Sequence, residues 1–210
     1  MTLWSDAAID SDKAENIMQI RFGVQGVKLL QKWQHLISDN ESQAADHMIN
    51  EEAQVKNINA FFNDNIRFED DITHWKQSDY WATPLETLGS DAGDCEDFTI
   101  AKYISLIHLG IPAERLRIIY VKAQIGGSSS RVYQAHMVLG YYPQPDSIPL
   151  ILDNLISEIE TADKRTDLHP VFSFNSDGLW IGDQPQPQID PTARLSRWRD
   201  VLTRIKQEGF

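Results

Sequence analysis

Three side chains in this sequence could together supply a nucleophile, a base and a group that orients the base. Cys95 is the only cysteine of the 210-residue chain. His136 lies within the apolar run 132–142, and Asp153 lies within the apolar run 149–154. A cysteine nucleophile needs a base that removes its proton, and the base needs a third group that fixes its tautomer. These residue types therefore point to nucleophilic catalysis by a thiolate.

Two of the three residues, Cys95 and His136, also have a plainer interpretation. A lone cysteine usually packs as a small buried apolar side chain, and a histidine in a strand is usually a structural residue. A histidine and an aspartate in apolar strands are nevertheless costly to bury unless they pair. Because the connections between the strand segments are short, we expect adjacent antiparallel strands that bring His136 and Asp153 together. A buried helix that begins at Cys95 would then bring the thiol to the same place.

The predicted start of this helix is strongly acidic. Its N-terminus would stabilise a thiolate at Cys95 through the helix dipole and the free backbone N–H groups, and Gly110 ends the helix. Asp94, Glu96 and Asp97 lie in the same turn and oppose a thiolate, because nearby negative charge raises the pKa of a thiol. Acidic residues in a first helical turn also have a structural explanation, since they complement the helix dipole.

The elements that must position these residues form a series of helices, then strands, then a final helix. Apolar residues at helical spacing predict the helices, and short runs rich in Ile, Val and Tyr predict the strands. The N-terminal part is expected to contain a helix over 24–37, a second helix that begins at Ser42, and a loop over 68–81. A short helix, capped by Thr83 with Pro84 at its first position, should then be followed by a turn over 89–93 and a helix over 95–109. Further along the chain we expect strands over 116–123, 132–142 and 149–154, a hairpin over 172–181 and a helix over 192–207. This order is typical of an α+β fold.

We expect a single catalytic domain, because the length and composition fit one hydrophobic core. Its parts would be a mainly helical N-terminal lobe over 1–66, a central region over 67–184 that carries the thiol helix and the antiparallel sheet, and a linker and helix over 185–210. Pro185 and Pro187 mark the linker. The basic residues of the last helix are interpreted as a solvated face that balances an acidic body.

Charge and hydropathy argue against two classes of partner. The chain has 19 basic and 31 acidic residues, which gives a formal charge of −12. Nucleic-acid binding needs a basic surface, so we expect no nucleic-acid partner. No run of about 18 apolar residues could span a bilayer, and the N-terminus lacks the features of a signal peptide. We therefore expect no membrane insertion, and either a cytoplasmic protein or a mature protein whose leader has been removed.

Several motifs resemble those of the bacterial transglutaminase-like cysteine proteinases. The resemblance covers roughly residues 61–180, and the motifs follow the family's order. The run 93–98 with 101–103 is similar to the nucleophile motif, 135–139 to the histidine motif, 152–155 to the aspartate motif, 79–86 to the segment before the nucleophile, and 172–175 with 178–180 to the C-terminal hairpin.

The resemblance implies a papain-like or transglutaminase-like core in which N-terminal helices pack on an antiparallel sheet. It also implies a Cys-His-Asp triad, in which Cys95 attacks a backbone carbonyl carbon, His136 moves the proton and Asp153 orients His136. The backbone N–H of Cys95 is the expected first donor of an oxyanion hole, and the second is expected from segment 75–81. For Trp81 itself, packing in the core is an equal alternative.

The resemblance further implies calcium dependence, which would explain the acidic turn. Asp94, Glu96 and Asp97 offer the hard oxygen ligands that calcium prefers, and a bound ion would cancel the charge that opposes the thiolate. Calcium takes about six to eight oxygen ligands. We expect backbone carbonyls or side chains of the 79–81 loop to complete the shell.

The resemblance also implies a substrate, a compartment and a regulator. The substrate is the N-terminal region of a large LapA-type biofilm adhesin, which is cut at a di-alanine site in the periplasm. A LapD-type inner-membrane receptor sequesters the protease when cytoplasmic cyclic-di-GMP is high. Two alternatives stay open: an acyl transferase of the transglutaminase type, which resolves the same thioester with an amine, and a non-catalytic module that uses calcium and the Cys95 region only to bind a receptor.

Overall fold

Helices cover one face of an antiparallel sheet, which confirms the predicted α+β class. A computed structural model describes residues 9–181 and 190–210. The helices are α1 (Ser11–Ala45), α2 (Glu51–Asn65), α3 (Asp71–His74), α4 (Pro84–Ser90), α5 (Cys95–His108), α6 (Pro191–Arg194) and α7 (Ser196–Glu208), with a 3₁₀ turn at Ala113–Arg115. The strands are β1 (Arg67–Phe68), β2 (Ala92–Gly93), β3 (Leu116–Ile125), β4 (Val132–Tyr141), β5 (Leu150–Leu152), β6 (Glu160–Thr161), β7 (Leu168–Phe174) and β8 (Leu179–Ile181).

The main sheet contains six strands in the order β6-β5-β4-β3-β7-β8, and every pair is antiparallel. The three predicted strands form β3, β4 and β5, which are neighbours as expected. Leu139 of β4 pairs with Leu152 of β5, and this pairing ends there. Asp153 directly follows β5. From Leu139 towards His136, β4 has no β5 partner on this side. β1 and β2 form a separate parallel pair.

Helix α5 lies at the centre of the molecule. All of its side chains from Glu96 to Leu106 are buried, and they pack between β3 and β4 on one side and α2 and α4 on the other. The indole Nε1 of Trp33 on α1 donates to Ser105 Oγ at 2.9 Å. Gly110 follows the helix with φ +83°, the left-handed conformation that its predicted role at the C-terminus requires.

The opposite face of the sheet carries a smaller apolar cluster. Ile119, Val121, Val138 and Ile151 form this cluster, and they line an open cavity of about 460 Å³. Arg165, which belongs to the connection between β6 and β7, lines the same cavity. Among the described residues, helices pack only against the face that carries the main core.

The boundary between the two N-terminal helices differs from the prediction. The first helix does not stop near residue 40 but continues to Ala45, because the Asn40 side chain is buried and pairs with Asn57 and the Leu36 carbonyl instead of ending the helix. The second helix does not open near Ser42. It begins after Asn50, whose side chain accepts from the backbone N–H of Ala53 at 3.0 Å.

The segment before α5 is more ordered than the predicted loop and turn. Asp70 caps the short helix α3 inside the predicted loop, through a 2.9 Å bond from the backbone N–H of Thr73. Thr83 and Glu86 form a reciprocal capping box at the start of α4, as the sequence predicts. The predicted turn over 89–93 is instead the end of α4 followed by β2.

The predicted C-terminal helix is two helices, because Leu195 is extended between α6 and α7. Its basic face is not simply solvated, since Arg204 forms an ion pair with Glu86, which is only 3% exposed. The predicted linker prolines Pro185 and Pro187 lie outside the described residues. Within the described ranges, no helix combines the length and apolarity that crossing a membrane needs.

Candidate active site

His136 and Asp153 form a buried hydrogen-bonded pair. His136 lies in β4, Asp153 directly follows β5, and His136 Nε2 lies 2.8 Å from Asp153 Oδ1. Both residues are almost completely buried. The two polar groups embedded in apolar strands therefore do pair, as their burial requires.

Asp153 is held in its ionised form by three donors. Its Oδ1 also accepts from the backbone N–H of Leu155 at 2.9 Å, and its Oδ2 accepts from Arg165 Nη2 at 2.8 Å. Burial opposes ionisation of Asp153, but the hydrogen bonds from His136, Leu155 and Arg165 outweigh it and lower the pKa of this carboxyl to about 2. Asp153 is therefore a negatively charged acceptor near neutral pH.

The ionised state of Asp153 determines the tautomer of His136. An ionised carboxylate can only accept a hydrogen bond, so the Nε2 atom of His136 must carry the proton that it shares with Asp153. A neutral imidazole has one protonated nitrogen, and its lone pair is then on Nδ1. Nδ1 is thus the ring atom that can act as a base.

The backbone of Asp153 is fixed as well. Its carbonyl oxygen accepts from Asn63 Nδ2 at 2.8 Å and from Lys102 Nζ at 3.3 Å. Lys102 Nζ also donates to Asn63 Oδ1 at 2.7 Å. Burial lowers the pKa of Lys102 to about 7, and the charge of Asp153 only partly offsets this effect. Residues of α2 and α5 therefore help to place the aspartate that follows β5.

Cys95 is the first residue of α5. It lies beside the part of β4 that pairs with β3 but not with β5. Its partly buried thiol donates to Glu96 Oε2 at 3.1 Å. Thr99 Oγ1 donates to the carbonyl of Met137 at 3.1 Å. The first turn of α5 is thereby attached to β4. Among the described contacts, no hydrogen bond joins the Cys95 thiol to His136.

The surroundings of Cys95 oppose its ionisation. Burial raises the pKa of the thiol well above its ordinary value, and the negative charges of Glu96 and Asp94 raise it further. The backbone of Met137, the residue after His136, has the opposite, smaller effect. The favourable position at the helix N-terminus is therefore not sufficient, because the adjacent carboxylates disfavour a thiolate.

Four carboxylates converge on the first turn of α5. Oxygen atoms of Asp71, Asp94 and Asp97 all lie within 4.8 Å of one another, and ligand atoms of Asp94, Cys95 and Glu96 form a second such group. Asp94 thus lies beside both other predicted ligands, Glu96 in one group and Asp97 in the other, and Asp71 of α3 joins the second group. This set of carboxylate oxygens has the chemistry of a site for a hard cation such as calcium.

Two oxygens of this acidic site have no hydrogen-bond partner among the described residues: Asp71 Oδ1 and Asp94 Oδ1, both buried. Burial, with the nearby charge of Glu96, raises the pKa of Asp94 strongly and that of Asp71 to about 6. Burial also raises the pKa of Asp97, although its oxygens accept from the backbone N–H groups of Ala82 (2.7 Å) and Asp94 (3.3 Å). Such a cluster lacks positive charge, and a cation would both supply it and bind the free oxygens.

Gly93 leaves the space that Asp97 occupies. A Cβ at position 93 would lie 2.7 Å from Asp97 Cβ and 2.8 Å from its Oδ2, distances that real Cβ atoms do not show. Only a residue without a side chain lets the carboxylate fold back over the strand that precedes α5. The glycine of the nucleophile motif therefore has a steric role at the acidic site.

The C-terminal helix holds the loop that faces the acidic site. Arg197 donates to the carbonyl of Asp79 at 2.8 Å and pairs with its carboxylate, while Arg204 donates to the carbonyl of Trp81. The backbone N–H of Tyr80, in the same loop, donates to Asp71. Helix α7 thus supports a loop that in turn orients an acidic side chain.

The predicted second oxyanion donor stays a prediction. In segment 75–81, the backbone N–H of Tyr80 is already bonded to Asp71, and the indole Nε1 of Trp81 donates to Asp79 Oδ1 at 3.0 Å. The Trp81 ring stacks on Phe174 with ring centroids 5.8 Å apart. These contacts favour the packing role of Trp81.

Comparison with known proteins gives the family. The family model described as bacterial transglutaminase-like cysteine proteinase (BTLCP) matches residues 32–171 of the 210. The chain belongs to this family. No curated protein matches it.

Solved structures of Legionella pneumophila LapG resemble this cysteine proteinase at 35% sequence identity. The EGTA-treated form has a TM-score of 0.78 and the match covers 95% of this chain and 100% of that one. A further LapG structure gives 0.76 with 95% and 99% covered, and the calcium-bound form gives 0.75 with 94% and 99% covered. The transglutaminase-like fold therefore extends over nearly the whole proteinase.

Sequence reasoning missed two polar residues of this proteinase's site. Asp71 lies in a stretch interpreted as a loop, and nothing in its spacing relates it to Asp94. Arg165 lies in the connection before β7, where its partner Asp153 cannot be inferred from spacing. One feature of the sequence could have indicated Asp71. Asp70 and Asp71 are adjacent acidic residues, and capping a helix requires only one of them.

Proposed function

We propose that this chain is a calcium-dependent cysteine endopeptidase that uses Cys95, His136 and Asp153. The observation that carries the proposal is the buried 2.8 Å pair of His136 and Asp153. It lies beside Met137 of β4, whose carbonyl accepts a hydrogen bond from Thr99 in the first turns of the Cys95 helix. A buried pair of this kind orients a base. A base beside the only cysteine, at a helix N-terminus, supplies the parts of a thiol protease.

In the proposed reaction, His136 Nδ1 takes the proton from Cys95 Sγ, and the sulfur attacks the carbonyl carbon of the scissile peptide bond. Asp153 keeps the Nε2 proton in place and stabilises the imidazolium. The imidazolium then protonates the leaving amine, which leaves a thioester on Cys95. Water deprotonated by Nδ1 hydrolyses the thioester and regenerates the thiol. The backbone N–H of Cys95 is the proposed first oxyanion donor.

We propose that Asp71, Asp94, Glu96 and Asp97 supply the side-chain ligands for calcium. Two free buried oxygens and a surplus of negative charge support this assignment. The calcium-bound form of Legionella LapG, at 35% identity, supports it from a relative. When bound, the ion would offset the carboxylate charge that faces the Cys95 thiol.

The proposed substrate is the N-terminal region of a LapA-type adhesin, cut at a di-alanine site in the periplasm. A LapD-type inner-membrane receptor would control access to the protease. Family membership and the likeness to LapG support these proposals.

The test is cleavage of candidate adhesin N-terminal fragments, with and without EGTA, followed by N-terminal sequencing of the product. We expect two free fragments in calcium, no cleavage in EGTA, and no cleavage by Cys95→Ser although it stays folded. Cleavage by Cys95→Ser would overturn the assignment of the nucleophile, and full activity in EGTA would overturn the metal proposal. A labelled amine in the reaction distinguishes hydrolysis from acyl transfer. An intact substrate, together with an inert Cys95 thiol, would favour a binding module.

A further inference from the structure

Arg165 is a buried charge that the proposed reaction does not use directly. Its side chain is 6% exposed, and its Nη2 atom lies 2.8 Å from Asp153 Oδ2. The residue belongs to the connection between β6 and β7, far in sequence from the thiol helix. It is the charged side chain that contacts Asp153 on the oxygen that His136 does not use.

The two oxygens of Asp153 have separate sets of partners. Oδ1 accepts from His136 Nε2 and from the backbone N–H of Leu155, whereas Oδ2 accepts from Arg165. Partial rotation of the carboxylate about its Cβ–Cγ bond would turn Oδ1 away from His136 Nε2 and misalign the acceptor. A donor placed on Oδ2 prevents this rotation, and a charge-assisted bond from a planar guanidinium is a strong donor for this purpose.

Arg165 is itself held from the other side. Its Nε donates to Asp167 Oδ1 at 2.9 Å, and its Nη2 donates to Asp167 Oδ2 at 2.8 Å. The backbone N–H of Arg165 donates to the carbonyl of Ala162 at 3.2 Å, and its carbonyl accepts from the N–H of Leu168 at 3.1 Å. The guanidinium therefore approaches Asp153 from a fixed position.

Packing alone does not explain an arginine at this position. Arg165 lines the apolar cavity with Val138 and Ile151, and its Nη1 is buried without a hydrogen-bond partner among the described residues. A buried ion pair is costly, and an apolar side chain of similar size is often at least as stable. The contribution of Arg165 is thus better sought in the geometry of Asp153 than in stability.

We propose that Arg165 is a positioning residue that fixes the Asp153 carboxylate so that Oδ1 faces His136 Nε2. The inference rests on the proposed function, in which His136 is the base. Arg165 touches no reacting atom in this scheme. It acts through Asp153 on the orientation and tautomer of His136.

The experiment compares Arg165→Met with the wild type in two measurements. The first is cleavage of an adhesin N-terminal fragment in calcium, for which we expect kcat to fall by about 10- to 100-fold while KM changes less than about twofold. The second is the resonance of the His136 Nε2 proton in protein labelled with ¹⁵N-histidine, assigned by its loss in His136→Gln. We expect this resonance to move upfield or to be lost through exchange with water.

Two further variants separate positioning from stability. Arg115→Met removes another partly buried arginine, whose ion pair with Glu51 lies away from the site, so stability should fall while the His136 resonance stays unchanged. Arg165→Lys keeps a charged donor and should recover part of kcat and of the resonance. If Arg165→Met does not fold, Arg165→Gln, which keeps a polar side chain, takes its place.

The outcomes distinguish this inference from the proposed function. If the wild type does not cut the adhesin, the function fails, and the His136 resonance still tests Arg165. If the wild type cuts it and the variant does so with the same kcat, the positioning role is overturned and the function stands. An unchanged His136 resonance in the variant overturns the role in either case.

Discussion

At the scale of single residues, Asp153 shows how a buried charge is maintained. It is 1% exposed, yet hydrogen bonds lower its pKa from the usual 3.8 to about 2. A carboxyl whose pKa is lower in the folded state stabilises that state above its unfolded pKa. The stabilisation is lost as the pH falls through the folded pKa. Asp153 therefore favours folding above about pH 4 and loses this contribution between about pH 4 and pH 2.

We expect Asp153→Asn to lower the free energy of unfolding by about 2 kcal/mol at neutral pH. The drop in the pKa of Asp153 from 3.8 to about 2 corresponds to a free energy of this size. Below about pH 4 the difference from the wild type should shrink, because the wild type must then take up a proton in order to unfold. Urea unfolding followed by tryptophan fluorescence across this range measures the effect. Asp64→Asn, on the exposed surface of α2, is the control. A difference that stays constant down to pH 2 would contradict the assignment.

Asp71 gives a second prediction at the residue scale. One of its carboxylate oxygens lies within 4.8 Å of those of Asp94 and Asp97, and its Oδ1 has no partner among the described residues, so Asp71→Asn should weaken calcium binding by about tenfold or more in titration calorimetry. The adjacent Asp70→Asn is a matched control, because Asp70 only caps α3 and asparagine caps equally well. Equal affinities in the two variants would remove Asp71 from the site.

The sequence allows a site residue to be predicted when its neighbours in the chain show that a polar or charged group must be buried. A histidine and an aspartate within apolar strands indicate a buried pair, because each needs a partner. Three acidic residues at one helix start likewise indicate a site where negative charge is concentrated. Asp71 and Arg165 could not be found in this way. Their partners are distant in sequence. Asp71 lies in a stretch whose sequence pattern predicts a loop, and Arg165 lies in a polar connection, so that a charge at either position needs no explanation.

At the scale of elements, α7 holds other elements together through its arginines, a role that its basic composition does not indicate. Arg204 contacts Glu86, the hydroxyl of Tyr80 and the carbonyl of Trp81. Glu86 also caps α4 and pairs with Arg21 of α1. One carboxylate thus connects three helices, and the loop before α4 is attached to the same network.

We expect Arg204→Ala to lower the free energy of unfolding by about 2 kcal/mol, because it removes a charge-assisted hydrogen bond to the buried Glu86 carboxylate. Arg199→Ala on the same helix should change it by less than about 0.5 kcal/mol, since Arg199 is exposed and its bond to the Thr192 carbonyl is 3.4 Å long. Chemical denaturation of both variants makes the comparison. Similar losses in the two would show that the Glu86 network adds no stability.

The elements themselves could largely be predicted, but their boundaries could not. Hydrophobic period and Gly110 locate α5, and runs of Ile and Val locate β3 and β4. The end of α1 and the start of α2 depend on Asn40 and Asn50, which are equally good stop and cap residues in sequence. Only the tertiary contact of Asn40 with Asn57 decides between them.

At the scale of the whole molecule, the acidic site joins parts that are otherwise separate. Asp71 comes from α3, Asp94 and Asp97 from the start of α5, and the loop between them is attached to α7. The main apolar core likewise draws on α1, the sheet and α7. Unfolding of the core would therefore separate the proposed calcium ligands.

Calcium should consequently raise global stability. At a calcium concentration of about 100 times Kd, binding to the folded state alone adds about 2.7 kcal/mol. We expect the thermal unfolding midpoint to rise with calcium and to return to its lower value with EGTA. Asp71→Asn should show a smaller rise at the same calcium concentration. A midpoint that is independent of calcium would contradict the link between the acidic site and the fold.

Helix α7 follows every proposed site residue in the chain, and this order has a consequence for biosynthesis. A ribosome delivers Cys95, His136 and Asp153 well before Arg197 and Arg204. Until α7 docks, the loop that positions Asp71 lacks its anchor. A chain in which α7 has not yet docked should therefore be inert, and proteolytic activity should begin only once α7 holds this loop.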